Sequence, residues 1–269
     1  MIVLIPMGGE GSRFLEQGYK QNKAEIPVLD RHSKKELPMI LCALKDIPWL
    51  KKKKTKLICV DKIDHQISGL ESKISKYYPQ TIFIHDHVKL DQAFGCFLAR
   101  DYLNSDEELF IGACDNGFEI DLKKFNQLKK VCDAIMISHS NDSNIESNPE
   151  AHSWAKLENN KNFLSGLSFK KTVSNNPMKD HATTGMFWFK NANSFLNKLE
   201  EMIWSKDSAN GKYYVDKVLD YYLKERLKVG YIDVKYICWG TPLDYENYQK
   251  TISYWISFLN ENKWIKKSL

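Results

Sequence analysis

The chain has 269 residues, of which 43% are hydrophobic and 27% charged, and its formal net charge is +5. With no repeat period, these values exclude a disordered chain or a repeat protein and are typical of a folded globular protein. The small net charge, with acidic residues spread along the chain, argues against nucleic acid as a partner and favours an anionic small molecule.

The cysteines and the N-terminal residues predict where the protein works. The six cysteines form no C-x-x-C pair, and several lie in apolar runs where a thiol acts as a small hydrophobic group, so we expect a reducing cytoplasm. The opening apolar stretch has no basic residue before it and soon ends in glycines. We expect it to be neither a secretory signal nor a membrane span.

Short apolar runs alternate with segments of helical period in the first half of the chain. This alternation is typical of β-α-β units and predicts a mostly parallel sheet. The predicted strands are IVLIP at 2–6, KLICV at 56–60, TIFIH at 81–85 and LFIGAC at 109–114, and the predicted helices lie near 37–46, 64–77 and 91–103.

The predicted helix near residue 91 has the clearest periodicity. Its apolar stripe has the spacing i, i+3, i+4 and i+8 that an amphipathic helix shows, and Asp91 stands where an N-cap is expected. The stripe consists of Phe94, Phe97, Leu98 and Tyr102.

The second half of the chain reads as strands joined by polar loops, which is typical of an antiparallel extension. The runs are AIMISHS, SWAKL, FLSGLSF and GMFWF. A helix at about 214–226 and two further strands follow. We expect one domain over 1–249, with halves at 1–133 and 134–249. Residues 250–269 are predicted to form an amphipathic helix that docks on the domain; dimerisation through it and a membrane-surface role stay open.

Glycines and an arginine directly follow the first predicted strand, in MIVLIPMGGEGSRF. Glycines after a buried strand leave backbone N–H groups uncovered and permit the positive φ of a phosphate-binding loop. Arg13 is a charged, forked donor, and Lys23 is near enough along the chain to fold over the same site. Neither a P-loop nor G-x-G-x-x-G is present, since Phe14 occupies the last glycine position. From these residues alone, an anion-binding loop and an ordinary glycine turn both stay open.

Five stretches in order along the chain resemble the signature of the nucleotidyltransferases that join a nucleoside triphosphate to a sugar 1-phosphate or similar molecule, including the phosphocholine type. They are IPMGGEGSRF with GYKQNKAEIPV, DQAFGCFLA, FIGACDNGF, ATTGMFWF and WGTPLDYENY. The resemblance implies an α/β fold: a Rossmann-like, mixed and mostly parallel central sheet flanked by helices, with a small antiparallel extension. It also implies that the first half binds the nucleotide and the second half binds the acceptor.

The resemblance assigns the nucleotide site to two stretches. Gly8, Gly9 and Gly11 would present backbone groups to the base and phosphates, and Gln92 and Gly95 would read the edge of the nucleobase. Read without the family, Gln92 and Gly95 are equally well explained as ordinary residues on a helix surface.

The resemblance also implies the chemistry. An acceptor phosphate oxygen attacks the α-phosphorus in line and pyrophosphate leaves, so the enzyme positions two polyanions and needs no covalent intermediate. Arg13 would steady the pyrophosphate, Lys23 would stabilise charge at the α-phosphate, and Asp115 would bind Mg²⁺. Asp115 follows an apolar strand, where open α/β proteins bind ligands, but a residue capping a turn before Asn116 is an equally simple interpretation.

The acceptor site is implied to lie in GLSFKKT and ATTGMFWF. Lys170 and Lys171 stand where the family often has a glutamate and a lysine, and only one of them can face the site if the strand continues. Lys179 is an alternative. Thr184 and Gly185 would allow close approach of the acceptor.

The sequence departs from the family pattern in two places. Asn22 and Ala24 replace the prolines on either side of the lysine, which puts the rigidity of that loop in question. The aspartate that often precedes the closing G-T and ligates the metal is replaced by Cys238 or Trp239. The candidate substitutes are Asp216, which we take as the second metal ligand, and Asp233.

Several alternatives remain open. His85 and His87 would share a strand face and could hold a metal, and Trp154 or Trp188 could stack on a ring, although both tryptophans are more simply explained as core. A glycosyltransferase of related fold or a non-catalytic nucleotide-binding subunit would explain part of the pattern. A homodimer is possible. The nucleobase is not fixed by the sequence, and the acceptor could be a hexose or a small amine.

Overall fold

The computed structural model describes residues 1–86, 91–158, 162–208 and 211–262. The strands are β1 (Ile2–Pro6), β2 (Pro27–Leu29), β3 (Glu36–Pro38), β4 (Lys56–Lys62), β5 (Ile82–Asp86), β6 (Leu109–Ile111), β7 (Asn116–Glu119), β8 (Ala134–His139), β9 (Ser153–Leu157), β10 (Leu164–Phe169), β11 (Ala182–Phe189), β12 (Val229–Asp233) and β13 (Lys235–Cys238). The α-helices are α1 (Ser12–Glu16), α2 (Met39–Asp46), α3 (Ile63–Ser68), α4 (Leu70–Tyr77), α5 (Gln92–Leu98), α6 (Arg100–Leu103), α7 (Leu122–Leu128), α8 (Ser143–Ser147), α9 (Ala192–Trp204), α10 (Val215–Lys224) and α11 (Pro242–Glu261).

Nine strands form one mixed sheet. Its order is β10-β9-β11-β6-β1-β4-β5, and β8 and β12 extend it from β11. The first half is parallel, since β1 pairs with β4 and β6 and β4 pairs with β5. β11 then runs antiparallel to β6, β8 and β9. The predicted fold class is therefore confirmed.

The core lies on both faces of this sheet, because alternate residues of β1 face opposite sides. Ile2 and Leu4 pack in one cluster with α5, α9 and α10, whereas Val3 and Ile5 pack in the other with α2, α4 and α7. All four are fully buried. A parallel strand covered on both faces is expected to be apolar throughout, which explains the run IVLIP.

The helix predicted near residue 91 is present as α5 and α6, but its most buried face is not the predicted stripe. Tyr102 is 44% exposed, and small residues face the sheet instead. A β-carbon on Gly95 would lie 3.2 Å from the Pro6 side chain, so the missing side chain lets α5 approach β1 closely. The fully buried small residues are Ala93, Cys96 and Ala99.

The second half contains the predicted helix α10, whose stripe of apolar residues is buried: Val215, Val218, Leu219 and Tyr222. Trp154 and Trp188 are fully buried core residues. The helices α7 and α9 were not predicted from the sequence. The start of α9 does carry a signal, since the Asn191 side chain caps it by accepting a hydrogen bond from the Ser194 amide at 2.8 Å.

The closing helix α11 begins at Pro242, before the predicted residue 250, because Thr241 caps it and proline is favoured at the first helical position. Its first turns dock on the domain: Tyr245 and Tyr248 donate hydrogen bonds to the carbonyls of Pro27 and Leu29 at 2.7 and 2.9 Å. No helix in the described part of the chain is both long and apolar enough to cross a membrane.

Candidate active site

The loop after β1 is shaped by a left-handed glycine. Gly11 has φ +64°, and a β-carbon there would lie 3.1 Å from the Lys23 side chain. An L-residue with a side chain would be strained in this conformation and would also press on the lysine. The glycine loop and Lys23 are thus fitted against each other.

Lys23 reaches from this loop to two other parts of the chain. Its ammonium group donates a hydrogen bond to Asp115 Oδ2 and another, of 3.0 Å, to the carbonyl of Gly240. The lysine sits on a 3-10 turn at Lys23–Glu25, in which Ala24 is buried. This turn and its contacts hold the lysine in place without the prolines that flank it in the family pattern.

Asp115 lies in the segment between β6 and β7, at the carboxyl end of the parallel strands. Its carbonyl accepts a hydrogen bond of 2.9 Å from the Trp239 amide, and Asn116 pairs with Cys238 where β7 meets β13. Cys238 therefore lies beside Asp115, at the position where the family pattern places an aspartate. The Cys238 thiol contacts Asp244 Oδ2 at 3.4 Å.

The protonation states of Lys23 and Cys238 follow from their surroundings. Burial disfavours the ammonium form of Lys23, but the charge and hydrogen bond of Asp115, together with smaller contributions from Cys114 and Cys238, outweigh that effect, and the pKa of Lys23 is raised above its usual value. Burial raises the pKa of the Cys238 thiol to about 12. At neutral pH Lys23 therefore keeps its positive charge beside Asp115, and Cys238 is a neutral thiol.

The N-terminal part of β11 forms a second wall of the candidate site. A bulge between Thr183 and Met186 places Gly185 at φ +79°, and its carbonyl accepts a hydrogen bond of 3.0 Å from Gln92 Nε2. The Thr184 hydroxyl is turned inward and donates to the Ile137 carbonyl at 2.8 Å. Gln92 therefore joins the first half of the chain to the wall that carries Gly185.

Lys170 and Asp216 form a third group. β10 ends at Phe169, and Lys170 has φ +56°, so the strand does not continue and Lys171 is exposed to solvent away from the cavities. Burial lowers the pKa of Lys170, although Asp216 opposes this. Burial likewise raises the pKa of Asp216, with Ser153 and Lys170 opposing it.

Asp91 does not cap α5 with its side chain. Its carboxylate instead accepts a hydrogen bond of 3.0 Å from the Tyr213 amide, which ties the segment before α10 to α5. The rings of Phe94 and Tyr213 meet edge to face at 5.1 Å and strengthen this connection. The segment that carries Tyr214 and Asp216 is held in place by these contacts.

We expect Asp91→Ala to lower the free energy of unfolding by about 1 kcal/mol, because the Tyr213 amide loses its acceptor. Asp91→Asn keeps an acceptor oxygen and should lose less. Denaturant unfolding of both variants measures the difference. Equal stability of the alanine variant and the wild type would show that this connection contributes nothing.

These groups line two adjoining cavities. The strand-end cavity has a volume of about 460 Å³, and the loop cavity beside it about 620 Å³. Predicted residues that line the strand-end cavity are Arg13, Lys23, Gln92, Asp115, Lys170, Thr184, Gly185 and Asp216. Predicted residues that line the loop cavity are Gly9, Gly11, Arg13, Lys23, Gln92 and Lys170. Arg13, Lys23, Gln92 and Lys170 thus line both.

Three predicted residues are not among those that line the cavities. Gly8 lies in the loop but lines neither cavity, Gly95 packs against β1, and Lys171 is exposed. The alternative Lys179 is also exposed. Asp233 lies elsewhere too, since its carboxylate accepts hydrogen bonds from Ser138 and Ser140 and pairs with His181.

Further lining residues were not predicted from the sequence, and those with polar side chains include His152, Lys212, Tyr236 and Asp244. Asp244 could have been found from the sequence, because Thr241 and Asp244 have the spacing of a capping box at the start of a helix. In the structure the Thr241 hydroxyl donates a hydrogen bond of 2.6 Å to Asp244 Oδ2. His152 and Lys212 lie in loops, and Tyr236 lies in the short strand β13. No sequence periodicity shows which side chains of such segments point into a cavity.

The alternative histidine site is only partly described. His85 Nε2 pairs with Glu71 at 2.6 Å, and His87 lies outside the described residues. Among the described residues, no group of three or more His, Cys, Asp or Glu side chains is arranged to hold a metal ion.

Solved structures of related architecture are numerous. A nucleoside-diphosphate-sugar pyrophosphorylase from Vibrio cholerae RC9 superposes with a TM-score of 0.75 at 18% identity, covering 93% of this chain and 100% of its own. The chain has the fold of the nucleotide-sugar pyrophosphorylases. A UDP-glucose pyrophosphorylase solved with UDP-glucose shares this pyrophosphorylase fold, with a TM-score of 0.69, 14% identity and coverage of 95% and 98%.

A protein from Bacillus anthracis assigned as a glucose-1-phosphate thymidylyltransferase, solved with sucrose, also has the pyrophosphorylase fold. Its TM-score is 0.68 at 19% identity, and 93% of this chain and 94% of that one are covered. No protein-family model and no curated protein sequence matches the chain. The five sequence motifs that resemble the nucleotidyltransferases therefore lie on the fold that the resemblance implies.

The residues around Asp115 are compatible with Mg²⁺, the metal that the resemblance implies. Its carboxylate is a hard oxygen donor, lines the strand-end cavity and already neutralises one cation, the ammonium of Lys23. The neutral thiol of Cys238 is a poor magnesium ligand. Asp216 has different neighbours, Ser153 and Lys170, so the two carboxylates lie in separate charge environments.

Proposed function

We propose that the protein is a nucleotidyltransferase that condenses a nucleoside triphosphate with a phosphorylated small molecule and releases pyrophosphate. The observation that carries this proposal is the position of Lys23, which lines both cavities and pairs with Asp115 at their junction. A nucleotide in the loop cavity and an acceptor in the strand-end cavity would meet there. The pyrophosphorylase fold is consistent with this arrangement.

The basic residues supply the positioning that the reaction needs. Arg13 and Lys212 line the loop cavity, where a triphosphate would lie, and Lys170 lines both cavities, where it can hold an acceptor phosphate. Lys23 would neutralise charge at the α-phosphate as the acceptor oxygen attacks. Such fixed charges lower the barrier because they need no reorganisation during the reaction.

A third, smaller pocket could bind the nucleobase. This pocket, of about 230 Å³, lies beneath the glycine loop and is lined by Gly9, Gly11 and Gln92 together with Cys114 and Asp115. Backbone groups of the loop and the amide of Gln92 can donate and accept hydrogen bonds at the edge of a base. We assign the base to this pocket and the triphosphate to the loop cavity.

Asp115 would hold Mg²⁺ together with the nucleotide phosphates and water, and the ion would supply neutralisation of phosphate charge. Lys23 would then give up part of its contact with Asp115 and turn to the nucleotide. The role of Asp115 is to hold that charge at the junction of the two cavities. Cys238 adds no charge there, so Asp115 receives no second carboxylate from that position.

Two neighbouring functions remain as outcomes of the test. A glycosyltransferase that uses an activated sugar has no need for Arg13 and Lys23 together at a leaving pyrophosphate, and a non-catalytic subunit has no need for the pairing of Lys23 with Asp115. We further propose that the product is an activated precursor for surface polysaccharide and that the reaction takes place in the cytoplasm. Those two details rest on the family resemblance and on the composition.

The lowered pKa of Lys170 leads us to expect that acceptor binding depends on pH. Because burial lowers its pKa below the usual 10.5, Lys170 loses its charge at a lower pH than an exposed lysine does. The KM for the acceptor should therefore rise as the pH becomes alkaline. Lys170→Arg keeps the charge and should move this rise to higher pH. An unchanged profile in the arginine variant would remove Lys170 from the acceptor site.

The test of the function is a pyrophosphate-release screen of CTP, UTP, GTP, ATP and dTTP against pooled phosphorylated sugars, polyols and amines, with Mg²⁺ and with Asp115→Ala as the control. The proposal requires one nucleotide and one pool to turn over with the wild type and to fail with the variant. Transfer from a nucleotide-sugar that survives Arg13→Ala would favour the glycosyltransferase. Nucleotide binding without turnover would favour the non-catalytic subunit.

A further inference from the structure

The strand-end cavity contains a buried carboxylate with an unsatisfied oxygen. Asp216 lies in the first turn of α10, lines this cavity and is only 6% exposed. The Ser153 side chain and the backbone amides of Asp216 and Lys217 lie near this carboxylate and favour its ionised form, which lowers its pKa against the effect of burial. Its Oδ1 atom has no hydrogen-bond partner among the described residues. A buried acceptor atom left unpaired is unfavourable unless a ligand completes it.

The nearby cation does not satisfy this oxygen. Lys170 lies close enough to Asp216 to influence its charge, but its ammonium group donates a hydrogen bond to the Ala151 carbonyl and lies 5.7 Å from the Tyr214 ring centre. The ammonium of Lys170 thus lies at the cavity wall, and Oδ1 of Asp216, although buried, has no hydrogen-bond partner in the described part of the chain. The cavity offers one group for the phosphate and another for the rest of the acceptor.

The aromatic rings of the cavity are already in contact with other groups. Lys170 lies over Tyr214, and the Tyr236 ring packs on His139 with centres 4.4 Å apart. His152 meets the rings of His139 and Trp154 at 5.2 and 5.9 Å. A quaternary ammonium group is recognised by open aromatic faces and has no proton to donate. A carboxylate oxygen requires a hydrogen-bond donor.

We infer that Asp216 determines acceptor specificity by accepting a hydrogen bond from a donor group on the acceptor, a hydroxyl or a primary ammonium. This inference rests on the proposed function. It favours phosphorylated sugars, polyols or primary amines, which carry a donor group, over phosphocholine, whose quaternary ammonium has no proton to donate. It also gives Asp216 a role that is separate from the metal bound by Asp115.

The test compares Asp216→Ala and Asp216→Asn with a matched control, Asp220→Asn, which removes a carboxylate one turn further along α10 outside the residues that line the cavities. The KM for the nucleotide and for the acceptor are measured separately, with the acceptor that turns over and with its monodeoxy analogues. We expect Asp216→Ala to raise the acceptor KM about tenfold or more and to leave the nucleotide KM within about twofold. Asp220→Asn should change neither.

A deoxy analogue makes the assignment specific. Removing the hydroxyl that Asp216 binds should weaken the wild type but not Asp216→Ala, whereas a purely structural role would make every acceptor equally worse in the variant. If the wild type turns over an acceptor and both Asp216 variants bind that acceptor normally, or if phosphocholine is the preferred acceptor, the inference is overturned while the proposed function stands.

If no nucleotide turns over, the proposed function fails, and calorimetric titration decides about Asp216. The probes are glucose 1-phosphate, phosphoethanolamine and phosphocholine, each titrated into the wild type and into Asp216→Ala. Binding of either of the first two that is lost in the variant supports the inference. Equal binding by both proteins, binding of phosphocholine alone, or no binding at all overturns it.

Discussion

Asp115→Asn is expected to reduce kcat/KM for pyrophosphate release by about 10³-fold. The substitution keeps the size of the side chain but removes the charge that pairs with Lys23 and would hold Mg²⁺ at the junction of the cavities. Steady-state pyrophosphate release over a range of Mg²⁺ concentrations measures the effect. We expect the variant to need more Mg²⁺ for half-maximal rate as well as to be slower.

The matched control is Asp101→Asn, which removes an exposed carboxylate on α6. It should retain full activity. Circular dichroism and a melting curve of Asp115→Asn establish that it is folded. A folded Asp115→Asn protein with wild-type kcat/KM and an unchanged Mg²⁺ requirement would show that Asp115 does not bind the catalytic metal.

Lys23→Met is expected to reduce kcat by about 10² to 10³-fold, with a smaller change in the KM for the nucleotide. Methionine keeps the length of the side chain and removes the ammonium that stabilises charge developing at the α-phosphate. Since its pKa is raised, the wild-type lysine is charged at any pH near neutral, so the loss should not depend on pH between about 6 and 8. Rapid-quench single turnovers separate this effect from product release.

Lys20→Met serves as the control, because Lys20 is an exposed lysine just before the 3-10 turn that carries Lys23. The double variant of Lys23 and Asp115 should be little worse than the poorer single variant, since the two residues act on the same charges. If the two losses multiply fully, Lys23 and Asp115 work independently, and their pairing has no part in the reaction.

The strands and helices are predicted well from the sequence where burial alone determines the pattern of apolar residues. The parallel strands are covered on both faces and are therefore apolar runs, and the stripe of α10 is a simple helical period. The buried face of α5 was harder to predict. Gly95 and the small residues beside it allow close packing on β1, which outweighs the apolar stripe that periodicity favours.

Part of the candidate site could also be predicted from the sequence. Lys23 and Asp115 were singled out by the family resemblance, and their positions beside a glycine loop and at the end of a strand agree with it; the structure pairs them. The surroundings of Asp216, beside Ser153 and Lys170, could not be predicted, because they depend on how Tyr213 is tied to Asp91 across the chain. Such long-range contacts leave no periodic signal in the sequence.

Nucleotidyl transfer is tested most directly by following where the α- and γ-phosphates of the nucleotide go. The nucleotide and acceptor found by screening are incubated with the protein once with label at the α-phosphate and once with label at the γ-phosphate. Nucleotidyl transfer would leave α-label in the nucleotide-linked product and γ-label in pyrophosphate. Label from the γ-position in the acceptor or in inorganic phosphate would identify a kinase or a hydrolase and contradict nucleotidyl transfer.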